Sequence, residues 1–215
     1  MSFRAYLESH YVAACNLQRG ISRDPLMIAM LRDGPADASL VKSWMRDYGL
    51  FQGITGQRRD AIVNRFLAFA RSHARASHVS NDVIKDLYAE LFTALYREVA
   101  RSWMSATSKL LWCLYPDDIV IYDAFVHRTL VVMQCIDADI SGFPRIGAAP
   151  SIKKKADIAP ATAHYMTYQA MVRKLHSVHA RALADLRLRN NELYPYDIRI
   201  VDKLLWMIGD SKRAY

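Results

Sequence analysis

The 215-residue sequence has few cysteines and no long apolar run. Its three cysteines, Cys15, Cys113 and Cys135, are scattered and odd in number, which argues against a disulfide framework or a zinc site. We expect all three to be buried thiols in apolar helical surroundings. No apolar run reaches the roughly 20 residues that a membrane-spanning helix needs. The N-terminal residues show no secretory signal, so a cytoplasmic protein is expected.

Signals for β-strands and for cofactor binding are almost absent as well. The run Ile119–Tyr122 favours an extended conformation, but it is short and has no evident partner strand. The glycines within residues 49–56 lack the flanking strand and the Lys-Ser/Thr ending of a nucleotide-binding loop. His176 and His179 share a predicted helix face without an evident acidic or cysteine partner. No metal site and no cofactor are therefore predicted.

Helical periodicity runs through almost the whole chain, and capping residues indicate where individual helices begin. Asp24 precedes Pro25 and is predicted to cap one helix. Asp37 or Ser39 is predicted to cap the next helix, and Ser80 to open a further one. The sequence therefore predicts an all-α fold.

The second half of the chain contains the longest predicted elements. Residues 140–160 are rich in glycine and proline and are predicted to be a loop, residues 161–189 a long helix, and a last helix ends at Gly209. A chain of this length can form one well-packed core, so a single globular unit is expected. The pattern also allows two small helical lobes, about 1–100 and 101–215, with a cleft between them.

The charge of the chain suggests a polyanionic partner. The net charge is +8, and a positive field raises encounter rates with nucleic acid. The basic residues are dispersed, however, so charge alone favours nucleic acid only weakly. Near the C-terminus, Asp197, Arg199 and Asp202 are interpreted as capping and ion-pair residues. The candidate nucleic-acid contacts on exposed segments are Arg58, Arg59, Lys153, Lys154 and Lys155.

The most informative segment begins at Lys109 and ends at Asp123. A helix predicted from about residue 108 to residue 115 rises about 12 Å and stops at Pro116. The extended run that follows returns about 13 to 16 Å. Since the two lengths nearly cancel, we expect Asp123 to lie close to the level of Lys109 and to cap the next helix.

This arrangement pairs a nucleophile with an anion. In the first turn of its predicted helix, Lys109 would feel the positive end of the helix dipole, and burial beside Trp103 or Trp112 would further favour the neutral amine. Asp123 is favoured as the carboxylate and can stabilise a developing cation. Small residues at the helix start are expected to leave backbone donors open to a phosphate, namely Ser105, Thr107 and Ser108.

The run Thr-Ser-Lys-Leu-Leu, followed by an apolar stretch into Tyr-Asp-Ala-Phe-Val-His-Arg, resembles the core of the helix-hairpin-helix DNA glycosylases, especially their 8-oxoguanine glycosylase branch. The closing segment, residues 196–209, resembles the C-terminus of small bacterial proteins with this kind of fold, and the resemblance covers about residues 80–209. It implies that Lys109 is the Schiff-base lysine and that Asp123 steadies the oxocarbenium-like centre. The family's Leu-Pro-Gly-Val-Gly type of turn before the lysine is replaced here by residues 102–108.

The resemblance implies removal of a modified base from double-stranded DNA, with strand-cleaving lyase activity as a further option. The base must leave the stack to reach the site, so a pocket and a wedge are needed. Two alternatives stay open: a non-catalytic nucleic-acid-binding relative in genome defence or repair, and a helical protein-interaction module. The aromatic candidates for the wedge or the pocket are Trp103, Phe51 and Trp206, and Tyr122 and Phe125 are further candidates for the pocket.

Overall fold

The computed structural model describes residues 2–17, 23–73 and 78–210. Over these ranges the chain is all-helical, which confirms the predicted fold class. No helix in these ranges is long and apolar enough to cross a membrane. A short 3-10 turn at Lys155–Asp157 precedes the longest helix. The α-helices α1 to α9 are, in order, Phe3–Cys15, Asp24–Asp33, Ala38–Asp47, Gln57–Ser72, Asn81–Val99, Met104–Leu114, Ala124–Ile136, Ile158–Arg189 and Asp197–Gly209.

Three of the predicted helix caps are confirmed. Asp37 accepts hydrogen bonds from backbone N–H groups at the start of α3, and Ser80 does so at the start of α5. Asp123 caps α7 by accepting from the Phe125 N–H at 2.9 Å. Each cap satisfies a backbone donor that lacks a partner inside the helix, which explains why these helices begin there.

Asp24 is not the predicted cap. It is the first residue of α2, it is fully buried, and its carboxylate accepts from Trp44 Nε1 at 2.8 Å. The hydroxyl of Tyr48 donates to the same carboxylate, at 3.0 Å to Oδ2. A buried carboxylate needs such donors, so Asp24 ties α2 to the end of α3 instead of capping its own helix.

The helices share one hydrophobic core that draws side chains from both halves of the chain. Helix α9 packs against α7, α1 and α8, and α5 packs against α4, α6 and α8. The crossing of α9 over α7 is close at Gly209, where an added Cβ atom would lie 2.3 Å from the Phe125 carbonyl oxygen. This crossing holds the start of α7 next to α9.

The run Ile119–Tyr122, called here the extended segment, is buried and joins α6 to α7 without forming a strand. Side chains of α8 provide the hydrogen bonds that a neighbouring strand would otherwise make. The Val120 N–H donates to Gln169 Oε1 at 3.2 Å, and the Val120 carbonyl accepts from Tyr165 at 2.9 Å. The Ile121 carbonyl accepts from the Tyr168 hydroxyl at 2.9 Å. Three side chains of one helix therefore satisfy three of the buried backbone groups of this segment.

Two details differ from the sequence predictions. Cys15 and Cys113 are buried as expected, but Cys135 lies on the solvent side of α7 and is exposed. The predicted loop at residues 140–160 is present, but α8 begins at Ile158, inside that span. The short 3-10 turn leads directly into α8, which explains the earlier start.

Candidate functional site

A cavity of about 340 Å³ lies between the connection from α3 to α4, helix α6 and helix α9. Its volume falls within the range of about 300 to 1,000 Å³ that is usual for small-molecule sites. Charged side chains from three separate parts of the sequence converge on it. The lining residues are Leu17, Asp47, Tyr48, Gly49, Gln52, Lys109, Ile121, Asp123, Arg199, Asp202, Lys203 and Trp206.

Lys109 reaches the cavity from the second turn of α6, not from the first. Helix α6 begins at Met104, so the predicted start near residue 108 is wrong. The helix dipole acts mainly on the first turn and therefore does not lower the pKa of Lys109 in the way expected. Lys109 is nevertheless only 7% exposed. Burial lowers the pKa of its amine to about 8, although the nearby Asp123 carboxylate acts to raise it. Desolvation thus produces the effect that the sequence analysis ascribed mainly to the dipole.

The Lys109 amine is held by its own helix and by the cavity wall. Its Nζ donates to Ser105 Oγ at 2.5 Å, one helical turn earlier. It also lies 5.9 Å from the centre of the Tyr48 ring, within reach of a weak cation–π interaction. Because Tyr48 is anchored to the buried Asp24, the amine faces a wall with a defined position.

Asp123 returns to the level of Lys109, as the predicted lengths require. Ser108 precedes Lys109, and Tyr122 precedes Asp123. The Tyr122 N–H donates a hydrogen bond to Ser108 Oγ at 2.8 Å. This buried hydrogen bond clamps the extended segment onto α6 and leaves both Lys109 and Asp123 lining the cavity. One Asp123 carboxylate oxygen caps α7, which orients the group by a backbone donor.

Helix α9 supplies a charged wall that the sequence analysis did not identify. The predicted ion pair between Arg199 and Asp202 is present, but both residues also line the cavity. Lys203 is 1% exposed, and burial together with the Arg199 charge lowers the pKa of its amine to about 7. The spacing of Arg199, Asp202, Lys203 and Trp206 places them on one face of the helix. The sequence alone gives no sign that this face is buried beside a cavity.

The predicted pocket aromatics are only partly brought together. Trp206 lines the cavity, and Phe125 packs against it edge-to-face, with ring centres 5.7 Å apart. Trp103 is buried beside Arg101 and is not a lining residue of the cavity. Tyr122 packs on Tyr168 with a centre-to-centre distance of 4.8 Å, so it shapes the core behind Asp123 and not the cavity surface. Phe51, an aromatic candidate for the wedge or the pocket, is buried as well.

Two of the three residues predicted to contact phosphate at the start of α6 lie inside the fold. Thr107 and Ser108 are fully buried, because Thr107 bonds to the Trp103 carbonyl and Ser108 to the Ser105 carbonyl and the extended segment. Their hydroxyls are therefore used within the fold. Ser105 is partly buried and is the partner of the Lys109 amine, so it belongs to the cavity side of α6.

The predicted basic contacts lie outside the cavity. Arg58 is exposed at the start of α4, and Lys153, Lys154 and Lys155 are exposed before α8. Arg59 is half-buried, since its Nε donates to the Ile54 carbonyl at 2.6 Å. Arg59 therefore holds the connection from α3 to α4 in place.

No group of three or more potential metal ligands occurs within the described ranges. His179, which showed no acidic partner in the sequence, lies 3.0 Å from Asp139.

Comparisons with protein-family models, with curated proteins and with solved structures each found no match for this chain. Any assignment of function therefore depends on the cavity itself.

Proposed function

We propose that the chain is a DNA glycosylase-like enzyme that removes a modified base from double-stranded DNA, with Lys109 as the nucleophile and Asp123 as the stabilising anion. One observation carries the proposal. A buried lysine with a pKa of about 8 shares a cavity with an aspartate held by a helix N-terminus. Ion-pair networks also perturb pKa values, but a perturbed amine lining a cavity is typical of a nucleophilic site.

The lowered pKa makes the amine available at neutral pH. At pH 7.5, an amine with a pKa of about 8 is neutral in about a quarter of the molecules. An ordinary lysine is neutral in only about one molecule in a thousand at this pH. Burial of Lys109 therefore raises the concentration of the neutral, nucleophilic amine by about two orders of magnitude.

In the proposed reaction, Lys109 Nζ forms a bond to the sugar C1′ while the bond from C1′ to the base breaks. The electron pair of the broken bond leaves with the base, which takes up a proton, and the amine loses one. The carboxylate of Asp123 stabilises the positive charge that develops on the sugar. Opening of the sugar ring then gives an imine between Lys109 and C1′, from which a lyase step can eliminate the 3′ phosphate.

Access to the cavity requires the base to leave the DNA stack. The net charge of +8 favours approach to the phosphate backbone. Arg58 and the three lysines at 153–155 are exposed and are the proposed backbone contacts. Trp206, partly exposed at the cavity, is the proposed stacking partner for the extruded base.

Borohydride trapping tests this proposal. Duplexes carrying a single oxidised, alkylated, deaminated or abasic residue are incubated with the protein, and the imine is reduced to a stable adduct. The expected result is a covalent adduct with at least one of these duplexes that is lost in Lys109→Ala. Lys85→Ala is the matched control, because Lys85 is exposed on α5. Trapping that is equally efficient with Lys109→Ala would overturn the role of that lysine.

A non-catalytic nucleic-acid-binding relative, acting in genome defence or repair, is the second candidate. The exposure of the basic residues at 153–155 supports it, since these side chains are free of the cavity. This candidate predicts DNA affinity that falls steeply with salt, without base release or trapping on any duplex. Absence of DNA and RNA binding even at low salt would instead favour the helical protein-interaction module.

A further inference from the structure

Three buried polar atoms on the cavity-lining residues of helix α9 have no hydrogen-bond partner among the residues that the structure describes. They are Nε of Arg199, Oδ1 of Asp202 and Nζ of Lys203. All three residues line the same cavity as Lys109. Buried polar groups are usually satisfied, so three exceptions on one helix face and in one cavity need an explanation.

The fold compensates these atoms only in part. The Lys203 amine lies 3.8 Å from the centre of the Tyr194 ring, and Asp202 uses its other carboxylate oxygen for the ion pair with Arg199. A ring face offers the amine no lone pair, and the ion pair leaves Nε and Oδ1 unsatisfied. A ligand that supplies the missing partners would recover the penalty of burying these groups.

We propose that the α9 wall of the cavity is a recognition surface for a base that presents a carbonyl acceptor beside an N–H donor, as a lactam edge does. The carbonyl oxygen accepts from Lys203 or Arg199, and the N–H donates to Asp202. This inference rests on the proposed function only in taking the ligand to be a nucleobase. It goes beyond that function by stating which edge of the base is bound.

The balance of charge at the cavity supports a neutral ligand over a phosphate. Three basic residues, Lys109, Arg199 and Lys203, line it, but so do three carboxylates, Asp47, Asp123 and Asp202. A phosphate would meet acidic groups on two sides of the cavity, whereas a donor and an acceptor side by side match the α9 wall. Trp206, four residues after Asp202, adds a flat apolar face for a heterocycle.

The protonation of Lys203 does not change this preference. Burial lowers the pKa of its amine to about 7, with the Arg199 charge acting in the same direction and Asp24 and Cys15 acting against it. The amine donates hydrogen bonds both as the ammonium ion and as the neutral group, so it seeks an acceptor in either form. Arg199 remains a cation at all relevant pH values.

Three free bases test the polarity of the α9 wall by equilibrium dialysis. Hypoxanthine presents an N–H donor beside a carbonyl, 1-methylhypoxanthine lacks that donor, and adenine reverses both groups. We expect hypoxanthine to bind about tenfold more tightly than either of the others, which is the value of about one net hydrogen bond. Equal binding of all three bases, or no binding of hypoxanthine, would overturn the inference.

Two variants then assign the preference to α9. Lys203→Met removes one of the two donors but keeps a similar volume, and it should weaken the preference for hypoxanthine without unfolding the protein. Asp202→Asn replaces the acceptor by an amide and should move the preference toward adenine. Lys85→Met is the exposed control and should leave the ratio unchanged. A preference of unchanged size in both cavity variants would contradict the assignment to α9.

The two proposals fail separately. Lys109→Ala should lose trapping but keep the preference for hypoxanthine, because Lys109 lies on α6 and not on α9. Trapping without any base preference would contradict base recognition by the α9 wall but would agree with the glycosylase proposal. A preference without trapping on any duplex would contradict the role of Lys109 as the nucleophile but would agree with base recognition by the α9 wall.

Discussion

Lys109→Met is predicted to abolish trapping and at the same time to stabilise the fold. The amine has a pKa of about 8 in the folded chain and about 10.5 in the unfolded one. At about 1.4 kcal/mol for each pH unit, this difference corresponds to about 3 kcal/mol by which burial of the charged amine destabilises the native state. Methionine has a similar length and no charge, so it removes this penalty and keeps most of the packing.

The stability gained by Lys109→Met is expected to depend on pH. Below pH 8 both the folded and the unfolded chain carry the proton, so the full penalty is present and the variant should be more stable by about 3 kcal/mol. Between pH 8 and 10.5 the folded chain loses the proton and the unfolded chain keeps it, which stabilises the wild-type protein as pH rises. Above about pH 10.5 the advantage of the variant should be gone.

Urea denaturation across this pH range measures the difference in the free energy of unfolding. The matched control is Lys85→Met, for which the difference should stay near zero because Lys85 is exposed on α5. A Lys109→Met protein that is less stable than the wild type at pH 7 would refute the reasoning. So would a stabilisation that does not shrink as the pH is raised.

Three further predictions follow from other contacts. Lys203→Met should stabilise the chain more than Lys109→Met does, and its advantage should begin to fall near pH 7, as urea denaturation would show. Gly209→Ala should lower stability by about 1 to 3 kcal/mol, because its Cβ atom would meet the Phe125 carbonyl oxygen; thermal denaturation measures this loss. Ser108→Ala should cost about 1 to 3 kcal/mol and slow trapping, because the buried Tyr122 N–H loses its acceptor; unchanged stability and trapping would contradict this role.

The fold class and the return of the chain from Lys109 to Asp123 could be predicted because both depend on local signals. Helical periodicity and the caps at Asp37, Ser80 and Asp123 are properties of short stretches of sequence. The return of the extended segment depends only on the rise per residue of a helix and of an extended chain. These quantities do not depend on which distant residues pack nearby.

The start of α6 was not predictable in the same way. Helix α6 begins at Met104 after Trp103, which makes no capping hydrogen bond through its side chain. The hydroxyl residues that resembled a helix start instead bond back to carbonyls inside the helix, as Thr107 does to Trp103. Hydroxyl side chains serve both purposes, and only the surrounding backbone decides between them.

The charged wall of α9 could not be deduced because its chemistry arises from tertiary packing. In sequence, Asp202 and Lys203 look like ordinary charged residues of a surface helix. Their burial comes from α9 packing against α7, α1 and α8 at once, and Gly209 permits the close approach to α7. The lowered pKa of Lys203 follows from that burial and has no local signature.

The extended segment limits how the length of the chain can vary. Its backbone is bonded to Tyr165, Tyr168 and Gln169 of α8, whose positions on a rigid helix do not adjust to a change in the number of residues. Inserting or deleting one residue would turn every following side chain of the segment to the opposite side. It would also move Asp123 away from Lys109. Loops elsewhere in this fold can change in length, but the number of residues between these two is part of the site.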